Sequence, residues 1–157
     1  MAILKERRVA FRLDVLGADT LAGEIQERAR RLGLVEAVHF HGLVPFQDLA
    51  PWYQRADLLV VSSRHEAGPL ALLEAALSGV PTVGTRVGHI ADLAPEAAVA
   101  VAVGDSAGLA QAIEALAGDE PRRLRLAHAA HAFAKEHDAD FTCARVEAVY
   151  KKVVRRA

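Results

Sequence analysis

The chain has 157 residues, enough for one domain with a sizeable core, and 52% of them are apolar against 25% charged, which excludes both a disordered segment and a membrane protein. A formal net charge of −1 gives no electrostatic reason to expect a nucleic-acid partner. The single cysteine, Cys143, excludes an intrachain disulfide and fits a reducing compartment; no apolar run approaches the ~20 residues that span a bilayer and MAILKERR has no secretory pattern, so a cytoplasmic protein without membrane association is expected.

Ala2 to Arg8 reads as the tail of a helix, because Ile3-Leu4 is followed by Lys5, Glu6, Arg7 and Arg8 with no cap before them. A chain that begins inside an element is expected to lack its beginning. Phe11 to Leu16 makes a strand ending at Gly17, and Leu21, Ile25, Ala29 and Leu32 recur at helical spacing up to Gly33, a C-terminal cap. Ala37 to His41 is a second strand closed by Gly42, and Phe46, Leu49, Trp52 and Tyr53 give a helix after Pro45. Asp57 opens a third strand, Leu58 to Val61, continuously apolar as central parallel strands are. A helix from about Pro69 to Ser78 is apolar on nearly every side, the pattern of a helix inside a domain. Pro81 to Gly84 and Ala98 to Val103 are the fourth and fifth strands, and Ser106 caps a helix running through Leu109, Ile113 and Leu116 to Gly118. Two helices close the chain, Pro121 to about His137 and then Phe141 to Val154. Strands alternating with helices predict an α/β fold, a Rossmann-like parallel sheet with helices on both faces, in a single domain over residues 1–157.

The one charge on the Pro69–Ser78 helix is Glu74, a turn from both Leu70 and Leu77, where an unpaired buried carboxylate would cost several kcal/mol. Something must hydrogen-bond it. Eight positions earlier Glu66 stands at the strand end; Gly68 permits close backbone approach, and Pro69 suits the first helical turn, whose free N–H groups make an anion site. Two carboxylates bracketing a helix N-terminus match a ligand with hydroxyls at each end and phosphate between, as in a nucleotide-sugar.

Glu66 and Glu74, with Gly68 between them and then Ala75, Gly79, Pro81, Thr85 and Gly88, resemble the E-x7-E signature of retaining family-4 glycosyltransferases. The resemblance extends back through Trp52-Tyr53, the Val38-His39-Phe40-His41-Gly42 strand and the strand ending at Gly17. It implies the C-terminal, donor-binding half of a GT-B glycosyltransferase, with a nucleoside-diphosphate sugar as donor substrate, no cofactor and no metal. It also implies an N-terminal half that holds an unidentified acceptor. In the family the donor half starts with a central strand and a helix carrying an Arg and a Lys for the diphosphate. No segment here matches them, so that N-terminal strand is expected to be missing, and the chain alone to bind donor weakly and transfer nothing.

By the same resemblance Glu66 is carried over as the catalytic residue, facing the hydroxyls of the donor sugar; its plainer alternative is to stabilise the helix N-terminus through the macrodipole, worth ~0.3 to 1 kcal/mol. Glu74 would accept the ribose hydroxyls, with pairing to Arg64, Arg86 or a backbone amide as the alternative. Gly68, Pro69, Leu70 and Ala71 would line the diphosphate and sugar, although Pro69 lacks an N–H and Ala67-Gly68 replaces the aromatic-glycine pair common in the family. Gly42, Leu43 and Val44 would present backbone to the base, or form a plain strand-to-helix turn. A non-catalytic nucleotide-binding module, a sugar-nucleotide epimerase and a phosphorylase of the same architecture remain as alternatives.

Other features carry less. The turn after Gly17 lacks the third glycine of a dinucleotide fingerprint. His39 with His41, and His128 with His131, have no evident third ligand and are expected to be structural, while Gly88-His89 resembles the family's paired-glycine loop with His89 expected to be a solvated loop residue, not a catalytic one. Lys151, Lys152, Arg155 and Arg156 form a basic cluster expected to be a solvated helix end.

Overall fold

A computed structural model describes residues 1–154; Arg155 and Arg156 of the terminal basic cluster lie outside the described residues. Helix α1 (Ala2–Glu6) leads into β1 (Leu13–Leu16), α2 (Glu24–Arg31) and β2 (Val38–Gly42). A 3-10 turn (Phe46–Asp48), α3 (Ala50–Gln54), β3 (Leu59–Val61), α4 (Leu70–Leu77) and β4 (Thr82–Thr85) follow. The chain continues through α5 (Gly88–Leu93), β5 (Ala98–Val101), α6 (Ser106–Ala117), α7 (Glu120–Glu136) and α8 (Ala139–Val154).

All strand pairs are parallel, as the alternating pattern requires, and the ladder is divided in two: β1 pairs with β2, and β3-β4-β5 form a second set. Side-chain alternation explains the layering of the larger set. Val60, Val83 and Val99 point to one face, where Leu4 of α1 and Ala110, Ile113 and Leu116 of α6 cover them. Val61, Ala98 and Ala100 point to the other face, against α4, α5 and α7. The alanines of β5 let those helices lie close. A third cluster joins Ala29, Leu34 and Val38 to Leu13, Val15 and Phe40 around the β1-β2 pair.

Several local expectations change. Helix α4 is not enclosed: Leu72, Ala75 and Ala76 pack inward, while Leu70 is 71% and Leu77 54% exposed. Its inward side packs against the Ala130–Ala134 face of α7 and against Ile90 and Leu93 of α5, which leaves Leu70 and Leu77 facing outward. Gly88-His89, expected as loop, opens the short helix α5, whose Ile90 and Leu93 are buried at i, i+3 spacing. The single helix expected after Pro45 splits at Leu49-Ala50, with Pro51 in the first turn of α3, where its missing N–H costs nothing. The cap of α6 is Asp105, not Ser106, because its carboxylate accepts from the Gly108 N–H at 2.8 Å. Among the described residues no helix is long and apolar enough to cross a membrane.

Candidate functional site

In an open parallel sheet the loops beyond the C-terminal strand ends are where ligands meet helix N-termini. Here those loops are Ser62–Pro69, between β3 and α4, and Arg86-Val87, between β4 and α5. Buried Thr85 fixes the first: its Oγ1 donates to the Ser63 carbonyl at 2.5 Å. Ser63 in turn donates its Oγ to Glu66 Oε1 at 2.7 Å, which sets the carboxylate at the loop's turn. From the other side Gly88 comes so near that a Cβ there would lie 2.5 Å from the Ala67 carbonyl oxygen and 2.8 Å from that of Glu66. Gly88 also has φ +46°, a backbone that L side chains rarely adopt. Together Arg64, His65, Glu66, Ala67, Val87 and Gly88 line an open cleft of about 450 Å³.

Helix α4 starts beside this cleft. Pro69 is its N-cap with φ −65° and ψ 121°, one position before the first turn expected for it, and no side chain caps the helix. Its carbonyl accepts from the Leu72 N–H at 3.0 Å, which leaves the N–H groups of Leu70 and Ala71 without a capping side chain. Glu74 follows one turn on. It is half-buried rather than enclosed, and its partner is none of the three expected: the Tyr53 hydroxyl donates to Glu74 Oε2 at 2.7 Å. Arg86 reaches instead toward the Ala100 carbonyl at 3.4 Å, and Arg64 lines the cleft. Burial, then the hydrogen bond to the Glu74 carboxylate, pushes the Tyr53 phenol above its ordinary value, so it stays a donor.

Gly42, Leu43 and Val44 leave the end of β2, where the Gly17 N–H donates to the Gly42 carbonyl at 2.8 Å and Leu43 is 81% exposed. Helix α3 spans from this end to α4. The Trp52 ring lies 4.2 Å from that of His41 on β2 and carries the Arg55 guanidinium 3.6 Å above its face, while Tyr53 reaches Glu74. His41 Nε2–H donates to Asp14 at 2.7 Å, and Arg12, ahead of His41 in effect, holds the Asp14 carboxyl down at about 2.

The structure therefore brings Glu66, Gly68, Pro69, Leu70 and Ala71 to one strand end and places Glu74 a turn away. Gly42–Val44 join them only through α3. The resemblance takes in Tyr53 and Thr85, but their tasks, a donor to Glu74 and a donor to the Ser63 carbonyl, are not visible in the sequence, because hydrogen bonds across 21 and 22 residues leave no periodic signal. The remaining histidines have local tasks: His131 Nδ1–H donates to the Ala76 carbonyl at 3.2 Å, tying α7 to α4, and His89 Nδ1–H donates to Asp92 at 3.3 Å. Among the described residues no three His, Cys, Asp or Glu side chains group as a metal site would require.

Comparison with known proteins extends this geometry. A D-inositol 3-phosphate glycosyltransferase of Corynebacterium diphtheriae is 36% identical over 140 residues, covering 85% of this chain and 32% of the relative, so the chain spans about a third of that protein's length. Sucrose-phosphate synthase from Thermosynechococcus elongatus has the same fold at TM-score 0.85 and 20% identity, over 99% of this chain and 42% of the other. Anabaena HepE, solved in complex with UDP-glucose, matches at TM-score 0.70 and 26% identity over 80% of this chain and 36% of its own. Residues 1–119 match the family model described as Glycosyl transferases group 1, and the chain belongs to that family.

Proposed function

We propose that this chain is the donor-binding half of a retaining, family-4 glycosyltransferase of GT-B architecture, a single nucleotide-sugar-binding domain. The observation that carries this is the pair Glu66 and Glu74 on either side of the uncapped first turn of α4, at the C-terminal end of a parallel strand, each already oriented by a hydroxyl. A nucleoside-diphosphate sugar fits that order. Glu74 accepts from the ribose hydroxyls, the Leu70 and Ala71 amides face the diphosphate where the helix dipole favours negative charge, and Glu66 faces the sugar hydroxyls. Gly68 lets the donor approach the backbone, Pro69 holds the entry angle of the helix, and Gly42, Leu43 and Val44 present backbone to the base.

In the reaction these groups position the donor and stabilise the diphosphate as its bond to the anomeric carbon breaks, a preorganised electrostatic role that needs no cofactor. Cleavage leaves the electron pair on the diphosphate oxygen, which takes the proton of the acceptor hydroxyl as that hydroxyl's oxygen bonds the anomeric carbon with retention. The acceptor is held by an N-terminal half, in keeping with a chain that spans 32% of its curated relative. The cytoplasm is the compartment in which such donors meet this domain.

The experiment is an amide NMR titration with UDP, GDP and ADP, without metal and up to millimolar concentration, on the chain and on Glu74→Ala. Shifts at Gly42–Val44 and Leu70–Glu74 that Glu74→Ala removes while melting normally support the reading. Loss of stability and binding together would assign Glu74 a structural role.

A further inference from the structure

We infer that Tyr53 is a positioning residue that turns Glu74 into a reader of the nucleotide ribose, by fixing the carboxylate that meets the diol. This rests on the donor reading above and adds to it a residue from a different element. The geometry is specific. Tyr53 lies on α3, 21 residues before Glu74, and donates to Oε2 at 2.7 Å.

Glu74 needs such a hold because of its place on α4. Its stripe neighbours Leu70 and Leu77 are 71% and 54% exposed, so they neither enclose the side chain nor limit its rotamers. A half-exposed glutamate between such neighbours samples several arrangements, and a ligand that requires one of them must pay for the others in entropy. The phenol removes that cost in advance. One hydrogen bond fills one of about four lone-pair positions of a carboxylate, so acceptor capacity remains for two hydroxyls.

Tyr53 is itself well anchored. Its neighbour Trp52 contacts the His41 ring, at 4.2 Å, and the Arg55 guanidinium, at 3.6 Å, and the first contact holds α3 to the end of β2 beside Gly42. The phenol thus sits on a support shared with the backbone proposed to meet the base. The upward displacement of its proton affinity, from burial and from Glu74, keeps the hydroxyl a donor wherever nucleotide binding is measured.

Dissociation constants for UDP, GDP and ADP, each beside its 2′-deoxy and 3′-deoxy analogue, test this on the chain, Tyr53→Phe and Glu74→Ala. The chain is expected to prefer the ribonucleotide, and Tyr53→Phe to reduce that preference roughly fivefold while deoxynucleotide binding holds, the scale of one hydrogen bond to a charged group. Equal weakening of ribo- and deoxynucleotides would make Tyr53 a structural tie, and an unchanged preference would leave it no role; either overturns the inference. Glu74→Ala separates the two levels. If it keeps the preference, or if none of the three nucleotides binds, the ribose reading falls and this inference with it. If it abolishes the preference while Tyr53→Phe retains it, only the role of Tyr53 is lost.

Discussion

The imidazole of His89 lies over Gly68, so that a Cβ placed on Gly68 would meet His89 Cδ2 at 2.6 Å and Nε2 at 2.7 Å. Helix α5 thereby closes on the approach to α4, and the space above Gly68 is shared between an imidazole and whatever ligand the cleft accepts. Gly68→Ala puts a methyl group there. Gly68 has no left-handed backbone, and the clashing atoms are the tip of a part-exposed side chain able to swing aside, so stability should change by less than ~1 kcal/mol. Nucleotide affinity should nonetheless fall, by about tenfold for a methyl obstructing one close contact. Gly68→Ala combined with His89→Ala should relieve the internal clash without restoring affinity. Full recovery in the double variant would mean that the glycine serves the histidine and not a ligand.

Gly88 is a different case, because its neighbours are backbone. A side chain there would have to move the Ala67 and Glu66 carbonyls, 2.5 and 2.8 Å from its Cβ, and adopt φ +46°. Gly88→Ala should therefore cost ~2 to 4 kcal/mol, the left-handed backbone accounting for ~1 to 2 of it. Urea denaturation reads the cost directly, and the amide shifts of Glu66 and Ala67 should move even where those of β1 and β2 do not. A stability loss below ~0.5 kcal/mol would show that the loop yields freely and is not held from this side.

The α/β layering was legible in the sequence because it rests on periodicity: Val60, Val83 and Val99 alternate with Val61, Ala98 and Ala100 whatever the tertiary details. The Glu66–Glu74 spacing and the glycines around it were legible for the same local reason. What periodicity could not give was exposure. Leu70 and Leu77 read as core from their type, yet the helices packed on α4 leave both exposed, and covering is a property of the assembled layers. The hydrogen-bonding roles of Tyr53 and Thr85 were not legible, because a hydroxyl shows no preference in sequence for the distant carboxylate or carbonyl it will bond. Helix α5 was hidden by its Gly88-His89 start, although Ile90 and Leu93 carried the spacing that builds it.

Asp14 offers a pH test. Arg12, with nitrogens 3.0 to 3.2 Å from its carboxylate, holds it down at about 2; partial burial opposes this and His41 reinforces it. A carboxylate depressed on folding adds stability above its ordinary value of 3.8, and that contribution is lost as pH falls toward about 2. The group is solvent-screened, so the effect should be modest and shrink with salt. Asp14→Asn should therefore be less stable than the parent at neutral pH in low salt, with the gap closing between pH ~5 and ~2. Urea midpoints across that range check it, and a gap independent of pH would trace the loss to packing.

The contrast between two leucines tests the layering itself. Leu4 belongs to a helix of five residues, too short to persist by its own hydrogen bonds, yet it is 0% exposed among Val83, Ile113 and Leu116. Burial must hold α1 in place, and Leu4→Ala should cost ~2 to 5 kcal/mol through the lost transfer energy and the cavity left behind. Leu70, at the start of α4 and 71% exposed, should tolerate the same truncation within ~0.5 kcal/mol. Chemical denaturation of both variants decides. A large loss at Leu70 would mean that the outward stripe of α4 is covered in solution, and the Glu74 carboxylate with it, while a small loss at Leu4 would mean that the face of β3-β4-β5 carrying Val83 is closed by α6 alone.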